Sequence, residues 1–231
     1  MIQWYGGKLR RQKSPEFFVW VEGVRNMKIF IGVPTFENIF PDTFKSIYDL
    51  NKAGHECVFE FIRGYDVGTA RNKMVLRAQE LEADYIFMVD NDVVLPKDAL
   101  VNLLDDVRDV QLGYYVHRTD YKYDGRTNVC KLGEINYFTA YSVDELRQAR
   151  ERGEYKIRIH GGGMGCALIN MDVYDRLPYP WYKWLNHNNR QKSRLSEDLF
   201  FCELCKREKI PVWTDSRVGC GHMLRHIEDA L

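Results

Sequence analysis

Short hydrophobic runs alternate with longer segments of helical periodicity along most of the chain. The runs typical of buried strands are residues 28–33, 57–62, 84–89 and 110–116. The segments with helical spacing of apolar positions are residues 41–53, 69–82, 98–107, 144–152 and 197–208. Strands that alternate with helices indicate βαβ units, so we predict an α/β fold with a mostly parallel central sheet flanked by helices.

The second half of the chain interrupts this alternation. Residues 120–141 contain short β-like pieces separated by glycine turns, and they predict a small β-rich insertion. Short strands at 157–159 and 166–169 flank a glycine-rich segment, and a last strand is expected at 211–214.

The first 26 residues precede this pattern. They carry aromatic residues such as Trp4, Phe17 and Trp20, and are too apolar for a disordered tail. We therefore predict an N-terminal extension, 1–26, followed by a single catalytic domain, 27–231.

The most informative segment is Tyr-Ile-Phe-Met-Val-Asp-Asn-Asp, in which an apolar run leads directly into Asp90 and Asp92. Side chains two positions apart on an extended backbone point the same way, so both should project from the carboxyl end of a buried strand, where α/β sheets bind ligands. Two close carboxylates repel each other unless a cation lies between them, and oxygen ligands suit Mg²⁺ or Mn²⁺. A plain turn is the alternative, because Asp and Asn are common turn formers.

Other polar groups are expected near the same sheet edge. Thr35 and Glu37 follow the first strand and can hydrogen-bond a base or a ribose. Arg71 lies in the first turn of a helix, where it can hold a diphosphate or order the aspartate pair, although a surface ion pair is also open.

Two further segments carry candidate chemistry near the C-terminus. Ser196 is a natural helix cap, and the acidic residues after it complement the helix dipole, so Asp198 is a candidate proton acceptor only because of its surroundings. Gly-Cys-Gly-His places the imidazole of His222 on an expected flexible loop, where it can serve as a metal ligand.

These blocks, taken in order, resemble a known enzyme family. The blocks are Val-Pro-Thr-Phe-Glu-Asn, Gly-Thr-Ala-Arg-Asn, Asp-Asn-Asp, Leu-Gly-Tyr-Tyr-Val, Gly-Gly-Gly-Met-Gly-Cys-Ala-Leu-Ile, Ser-Glu-Asp-Leu-Phe-Phe and Gly-His. Over residues 27–222 the chain resembles a glycosyltransferase of the GT-A fold, close to family 2 and its small bacterial and viral relatives.

The resemblance implies a function and a set of site residues. The function is transfer of a sugar from a nucleotide-diphosphate sugar to a hydroxyl of a carbohydrate or glycoconjugate acceptor, with Mn²⁺ or Mg²⁺ as cofactor. The metal ligands it implies are Asp90, Asp92 and His222. The donor-binding residues it implies are Pro34, Thr35, Glu37, Asp90, Gly162 and Gly163. Asp198 matches the base of inverting members. The chain lacks the Gln-x-x-Arg-Trp type motif of many members, so processive polymerisation is not expected.

Composition limits the classes of binding partner and the cellular compartments that are expected for the protein. The formal net charge is zero, which disfavours nucleic acid as a partner. No apolar run is long enough to span a membrane, although basic residues at 8–13 could touch anionic lipid. Six cysteines in 231 residues do not suggest a disulfide framework, and no secretory signal is evident, so a cytoplasmic location is expected.

Two functions of other classes compete with this interpretation. A hydrophobic strand followed by Asp-x-Asp also opens haloacid-dehalogenase-type phosphatases, although there the motif normally follows the first strand. Cys202, Cys205, Cys220 and His222 have the ligand types of a structural zinc site, but the two helical cysteines also fit the buried face of an ordinary helix.

Overall fold

A seven-stranded sheet forms the centre of the fold. The computed structural model describes residues 26–116, 125–133, 139–185 and 195–223. The strands are β1 (Lys28–Thr35), β2 (Glu56–Arg63), β3 (Tyr85–Val89), β4 (Val93–Val94), β5 (Val110–Tyr114), β6 (Arg126–Cys130), β7 (Ala140–Ser142), β8 (Lys156–Ile159), β9 (Gly161–Gly162), β10 (Cys166–Asn170), β11 (Val212–Gly219) and β12 (Gly221–His222). The helices are α1 (Pro41–Tyr48), α2 (Val67–Glu80), α3 (Ala99–Leu104), α4 (Val143–Glu151), α5 (Asp172–Arg176) and α6 (Glu197–Arg207).

The strand order in the sheet is β2-β1-β3-β10-β5-β11-β8. β1 pairs in parallel with β2 and β3, and β5 pairs in parallel with β11. β10 is antiparallel to both of its neighbours, and β8 is antiparallel to β11. Five of the seven strands therefore run in one direction, which confirms the predicted mostly parallel α/β sheet.

Helices cover both faces of this sheet. Alternate side chains of the strands enter two hydrophobic clusters, so Phe30 packs on one face while Ile29 and Ile31 pack on the other. The first face is covered by α2, α4 and α6, and the second by α1 and α3. Four consecutive β3 residues, from Ile86 to Val89, have no exposed surface. Each such buried side chain contributes roughly 1.5–3 kcal/mol, and together they fix the strand that leads into the aspartates.

Two small sheets accompany the central one. β6 pairs with β7 and β9 to form a three-stranded antiparallel sheet, which confirms the predicted β-rich insertion. β12 pairs with β4 and thereby joins the end of the described chain to the turn after β3. Within the described ranges, no helix is long and apolar enough to cross a membrane. Residues 1–25 lie outside the described residues, so the division at residue 26 stays a prediction.

Several predicted boundaries were wrong for local reasons. α1 ends at Tyr48 rather than near residue 53, and the turn at Ala53 and Gly54, with φ values of 51° and 76°, lies beyond the helix. β1 continues beyond Pro34, which pairs with β2 where β3 no longer accompanies the strand. A residue without an N–H is tolerated at such a position.

The C-terminal end departs further from expectation. The last strand was predicted to end at residue 214, but β11 continues to Gly219. The expected flexible loop around His222 is wrong as well, because Gly221 and His222 form strand β12. Pairing with β4 supplies backbone hydrogen bonds that a local hydrophobic pattern does not reveal.

The close approach of β9 to α6 makes a first prediction. A Cβ at Gly161 would lie 2.7 Å from both Cβ and Sγ of Cys202, and a Cβ cannot rotate away. We expect Gly161→Ala to lower the free energy of unfolding in urea by about 1–3 kcal/mol. Gly68→Ala is the control, since its Cβ would meet no atom closer than 3.4 Å. Equal stability of Gly161→Ala and wild type would show that this contact is not tight.

Candidate active site

Arg71 is the centre of a charged cluster at the carboxyl edge of the sheet. Its side chain is 1% exposed, and its guanidinium donates to Oδ1 of Asp90 over 2.8 Å. The other terminal nitrogen bonds to carboxylate oxygens of Glu197 and Asp198. One cation thus joins the end of β3 to the beginnings of α2 and α6.

Local interactions position the two helices that supply these groups. α2 begins at Asp66, whose side chain accepts from the backbone N–H of Thr69, and α6 is capped in the same way by Ser196. Asn72, next to Arg71, donates to the carbonyl of Tyr182 over 2.7 Å and accepts from the N–H of Trp181 over 3.0 Å. These bonds hold the first turns of α2 against the segment that follows α5.

The cluster carries more negative than positive charge. One guanidinium faces the carboxylates of Asp90, Glu197 and Asp198. Burial raises the pKa of Asp198 to about 8; Glu197 and Asp90 raise it as well, and Arg71 opposes the increase. Oε2 of Glu197 and Nε of Arg71 have no hydrogen-bond partner among the described residues. A proton bound to the cluster, or a cation nearby, would therefore reduce its net negative charge.

Asp92 lies beside His222 because β12 pairs with β4. Val93 is the register partner of His222, and the N–H of Met223 donates to the carbonyl of Asp92 over 2.8 Å. Nε2 of His222 is 3.7 Å from Oδ1 of Asp92. Two residues that sequence analysis assigned to one metal are thus adjacent in the structure.

The tautomer of His222 follows from its other ring nitrogen. Nδ1 lies 2.8 Å from the carbonyl oxygen of Val116, which can only accept, so Nδ1 carries the proton. In the neutral ring, the lone pair of Nε2 then faces the carboxylate of Asp92. That arrangement is favourable when a cation lies between the two groups or when the ring is protonated, and it is the orientation found in metal-ligating histidines.

Asp90 differs from the expectation in two respects. β3 ends at Val89 and residues 91–92 form a turn, with the N–H of Val93 donating to the carbonyl of Asp90 over 3.2 Å. The argument from side-chain alternation on an extended strand was therefore wrong. Oδ1 of Asp90 is bound by Arg71, and no group of three His, Cys, Asp or Glu in the described part of the chain has the spacing of a metal site.

Asn91, between the two aspartates, anchors the loop after β1. Its side-chain amide donates to the carbonyl of Asn38 over 2.8 Å, and its own carbonyl accepts from Phe40 over 3.1 Å. The hydroxyl of Thr35 donates to the same Asn38 carbonyl, and the side chain of Glu37 is exposed. The predicted nucleotide loop thus lies beside the aspartates, held by a residue that had been given no role.

The glycine-rich segment has packing reasons for its composition. Gly162 is buried in β9, where a Cβ would lie 2.8 Å from the carbonyl oxygen of Asn128. A Cβ at Gly163 or Gly165 would lie 2.5 or 2.7 Å from the hydroxyl of Tyr115. Close approach of backbone and side chains therefore explains these glycines, and donor contact by Gly162 and Gly163 stays a prediction.

Tyr115 is a site residue that sequence analysis missed. Its hydroxyl accepts from the N–H of Gly165 over 3.2 Å, and its ring meets that of His222 edge-on with centroids 5.0 Å apart. Burial raises its pKa well above the ordinary value, and the charges of Asp90 and Asp198 add to this effect. The Leu-Gly-Tyr-Tyr-Val block was the only signal, and it did not separate Tyr115 from Tyr114.

The arrangement as a whole defines a GT-A-like fold. No protein-family model and no curated protein sequence matches the chain. Among solved structures, it is similar to A197 from STIV, with a TM-score of 0.57, 17% identity, and coverage of 86% of this chain and 87% of that one. It is also similar to GalNAc-T7, solved with UDP, GalNAc and Mn²⁺, with a TM-score of 0.55 and 10% identity.

The coverage of these structures is unequal. The match to GalNAc-T7 spans 87% of this chain but only 45% of that one. S. aureus TarS 1–349, solved with UDP, matches at a TM-score of 0.46 and 14% identity, over 84% of this chain and 60% of that one. At 17% and 10% identity, the similarity to A197 and to GalNAc-T7 shows the fold alone.

Both competing functions lose support from the structure. The aspartates follow a strand that is third in chain order within a GT-A-like sheet, unlike the expected phosphatase arrangement. Cys202 and Cys205 are buried in the hydrophobic cluster on one face of the sheet, whereas Cys220 packs against the cluster on the other. The proposed zinc ligands therefore do not come together.

The Arg71 cluster makes a second prediction. Arg71→Met leaves three carboxylates without their shared cation, and breaking such a buried pair costs about 3–5 kcal/mol. Arg71 lowers the pKa of Asp198, so its loss raises that pKa further. An acid whose pKa is raised by folding destabilises the fold as pH rises from about 4. In urea unfolding, the penalty relative to wild type should be smaller near pH 5 and should increase as pH rises above about 8.

Arg77→Met is the matched control for that experiment. Arg77 is on the same helix, but its ion pairs with Glu60 and Glu80 are at the surface. We expect little change in stability from this variant at either pH. A penalty for Arg71→Met that is independent of pH would contradict the charge argument and leave only lost packing.

Proposed function

We propose that the chain is a glycosyltransferase that moves a sugar from a nucleotide-diphosphate sugar to a hydroxyl of a carbohydrate or glycoconjugate. The observation that carries the proposal is the charged cluster at the carboxyl edge of the sheet. There, Arg71 holds Asp90 and Asp198 together, and His222 is brought to Asp92. In α/β folds this edge is where ligands bind.

A divalent metal, Mn²⁺ or Mg²⁺, fits the Asp92–His222 pair. The Nδ1–H bond of His222 leaves Nε2 free of a proton and aimed at the carboxylate, which suits a shared cation. Such a cation would neutralise charge on a diphosphate leaving group. GalNAc-T7 has been solved with Mn²⁺ and UDP, which supports the same class of cofactor and donor here.

The donor would lie between the loop after β1 and the aspartates. Pro34 and Thr35 are the last two residues of β1, and Glu37 is in the loop itself, which Asn91 holds against Asp90 and Asp92. A nucleoside bound there would place its diphosphate toward the metal pair. Gly163 would offer backbone groups on the opposite side.

Arg71 is assigned a positioning role. Of the two roles considered for it, ordering the carboxylates fits better than binding a diphosphate, because its terminal nitrogens are occupied and its side chain is 1% exposed. It fixes the separation between the donor-side carboxylate of Asp90 and the acceptor-side carboxylate of Asp198.

Asp198 is assigned the role of general base. Burial raises its pKa to about 8, so the carboxylate is a stronger base than a solvent-exposed aspartate. In the reaction it would take the proton of the acceptor hydroxyl as that oxygen attacks the sugar. The bond to Arg71 would hold the carboxylate in place and offset the adjacent charge of Glu197.

The metal assignment makes a third prediction. Wild-type protein should bind UDP in the presence of Mn²⁺ and lose that binding in EDTA, as measured by calorimetry. Asp92→Ala should abolish the Mn²⁺-dependent binding, whereas His222→Ala should weaken it by a smaller factor. Asp144→Ala, at an exposed carboxylate on α4, is the control and should bind like wild type. Equal UDP affinity with and without EDTA would contradict the assignment of a metal to this pair.

The assignment of the base makes a fourth prediction. Asp198→Asn should bind the donor nearly as wild type does, but transfer should be slower by about 10²–10⁴-fold. Single-turnover transfer from a UDP-sugar measures the effect. Glu203→Gln is the control, because Glu203 is on the same helix and pairs instead with His160. Near wild-type transfer by Asp198→Asn would remove this residue from the mechanism.

A further inference from the structure

A pocket of about 340 Å³ lies at the other end of α6 from the carboxylates. Asp198 is in the first turn of that helix, whereas the pocket is bounded by its last turn, the end of β8 and the start of β11. Ile159 pairs with Val212, the first residue of β11, so the pocket is at the edge of the sheet opposite the carboxyl ends of the parallel strands. We propose that this pocket binds a phosphate ester.

The charged side chains that line the pocket are cationic and favour an anionic ligand. Its charged lining residues are Arg158, Lys206 and Lys209, all exposed, and no described residue that lines it is acidic. Lys206 lies 3.9 Å from Glu203, but neither Arg158 nor Lys209 has a carboxylate within 4.0 Å among the described residues. Two of the three cations thus lack an ion-pair partner in the part of the chain that the structure describes.

The remaining surface of the pocket is apolar. The side chains of Ile159, Cys202, Ile210 and Val212 form a buried floor. Leu132, 60% exposed, adds an apolar wall from the end of β6. A cationic rim over an apolar floor suits a molecule with a phosphate group and a less polar body, and the volume is in the range of small-molecule sites.

The pocket is separate from the carboxylate cluster. Strand β9 lies against α6 between them, with the Cβ position of Gly161 only 2.7 Å from Cys202. The proposal therefore describes a second site, and it does not depend on the glycosyltransferase function. A phosphate ester here has two natural sources, a lipid headgroup or a soluble sugar phosphate.

Binding measurements on the full chain, in EDTA and without nucleotide, test the proposal. The probes are dihexanoyl phosphatidate below its micelle concentration and glucose 6-phosphate, with dihexanoylglycerol and glucose as their uncharged counterparts. We expect wild type to bind at least one phosphate probe and neither counterpart. The double variant Arg158→Glu/Lys209→Glu should bind that probe at least about tenfold more weakly, because two favourable charge interactions become repulsive.

Control variants test whether the phosphate probe binds at this pocket. Lys52→Glu, at an exposed lysine before β2, should bind the phosphate probe like wild type. Arg158→Gln/Lys209→Gln should bind it with intermediate affinity, and this variant replaces the charge-reversed one if charge reversal impairs folding. Binding of phosphatidate alone assigns the lipid source, and binding of glucose 6-phosphate alone assigns the soluble one.

Two results would overturn the proposal. The first is that wild type binds neither phosphate probe. The second is that the double variant and Lys52→Glu bind a phosphate probe equally well, which would place any binding elsewhere on the surface.

Discussion

The site depends on one buried guanidinium that serves three carboxylates. Arg71 can lie in the interior only because Asp90, Glu197 and Asp198 surround it, and those groups can lie close together only because Arg71 is there. A strand end and two helix beginnings, distant in sequence, are held in one arrangement by this mutual requirement. The excess of negative charge that remains favours the protonated form of Asp198, whose pKa is raised to about 8.

The layers of the fold could be predicted from the sequence because their signals are local. The apolar run that becomes β3 and the capped start of α6 each carry their own pattern within a few residues. β12 has no such signal, since it is two residues long and exists through its pairing with β4. The expectation of a flexible loop at His222 failed for this reason.

The residues of the candidate site also fall into those with a local sequence signal and those without one. Asp90, Asp92, Asp198 and His222 could be proposed from the sequence because charged groups next to apolar strands and helix starts are conspicuous. Asn91 and Tyr115 act through contacts with segments distant in the chain, and nothing in their immediate neighbours marks them. Gly162 and Gly163 were predicted to bind the donor, whereas close contact with the Asn128 carbonyl and the Tyr115 hydroxyl already accounts for a glycine at each position.

The pairing of β4 with β12 also bears on the order of events during synthesis. The aspartate of the Asp92–His222 pair emerges from the ribosome long before the imidazole does, because most of the central sheet is encoded between them. A nascent chain therefore presents Asp92 without its imidazole neighbour while the sheet is still being assembled. The two side chains come together only when β12 pairs with β4, so their adjacency depends on one of the last strands of the described chain to be synthesised.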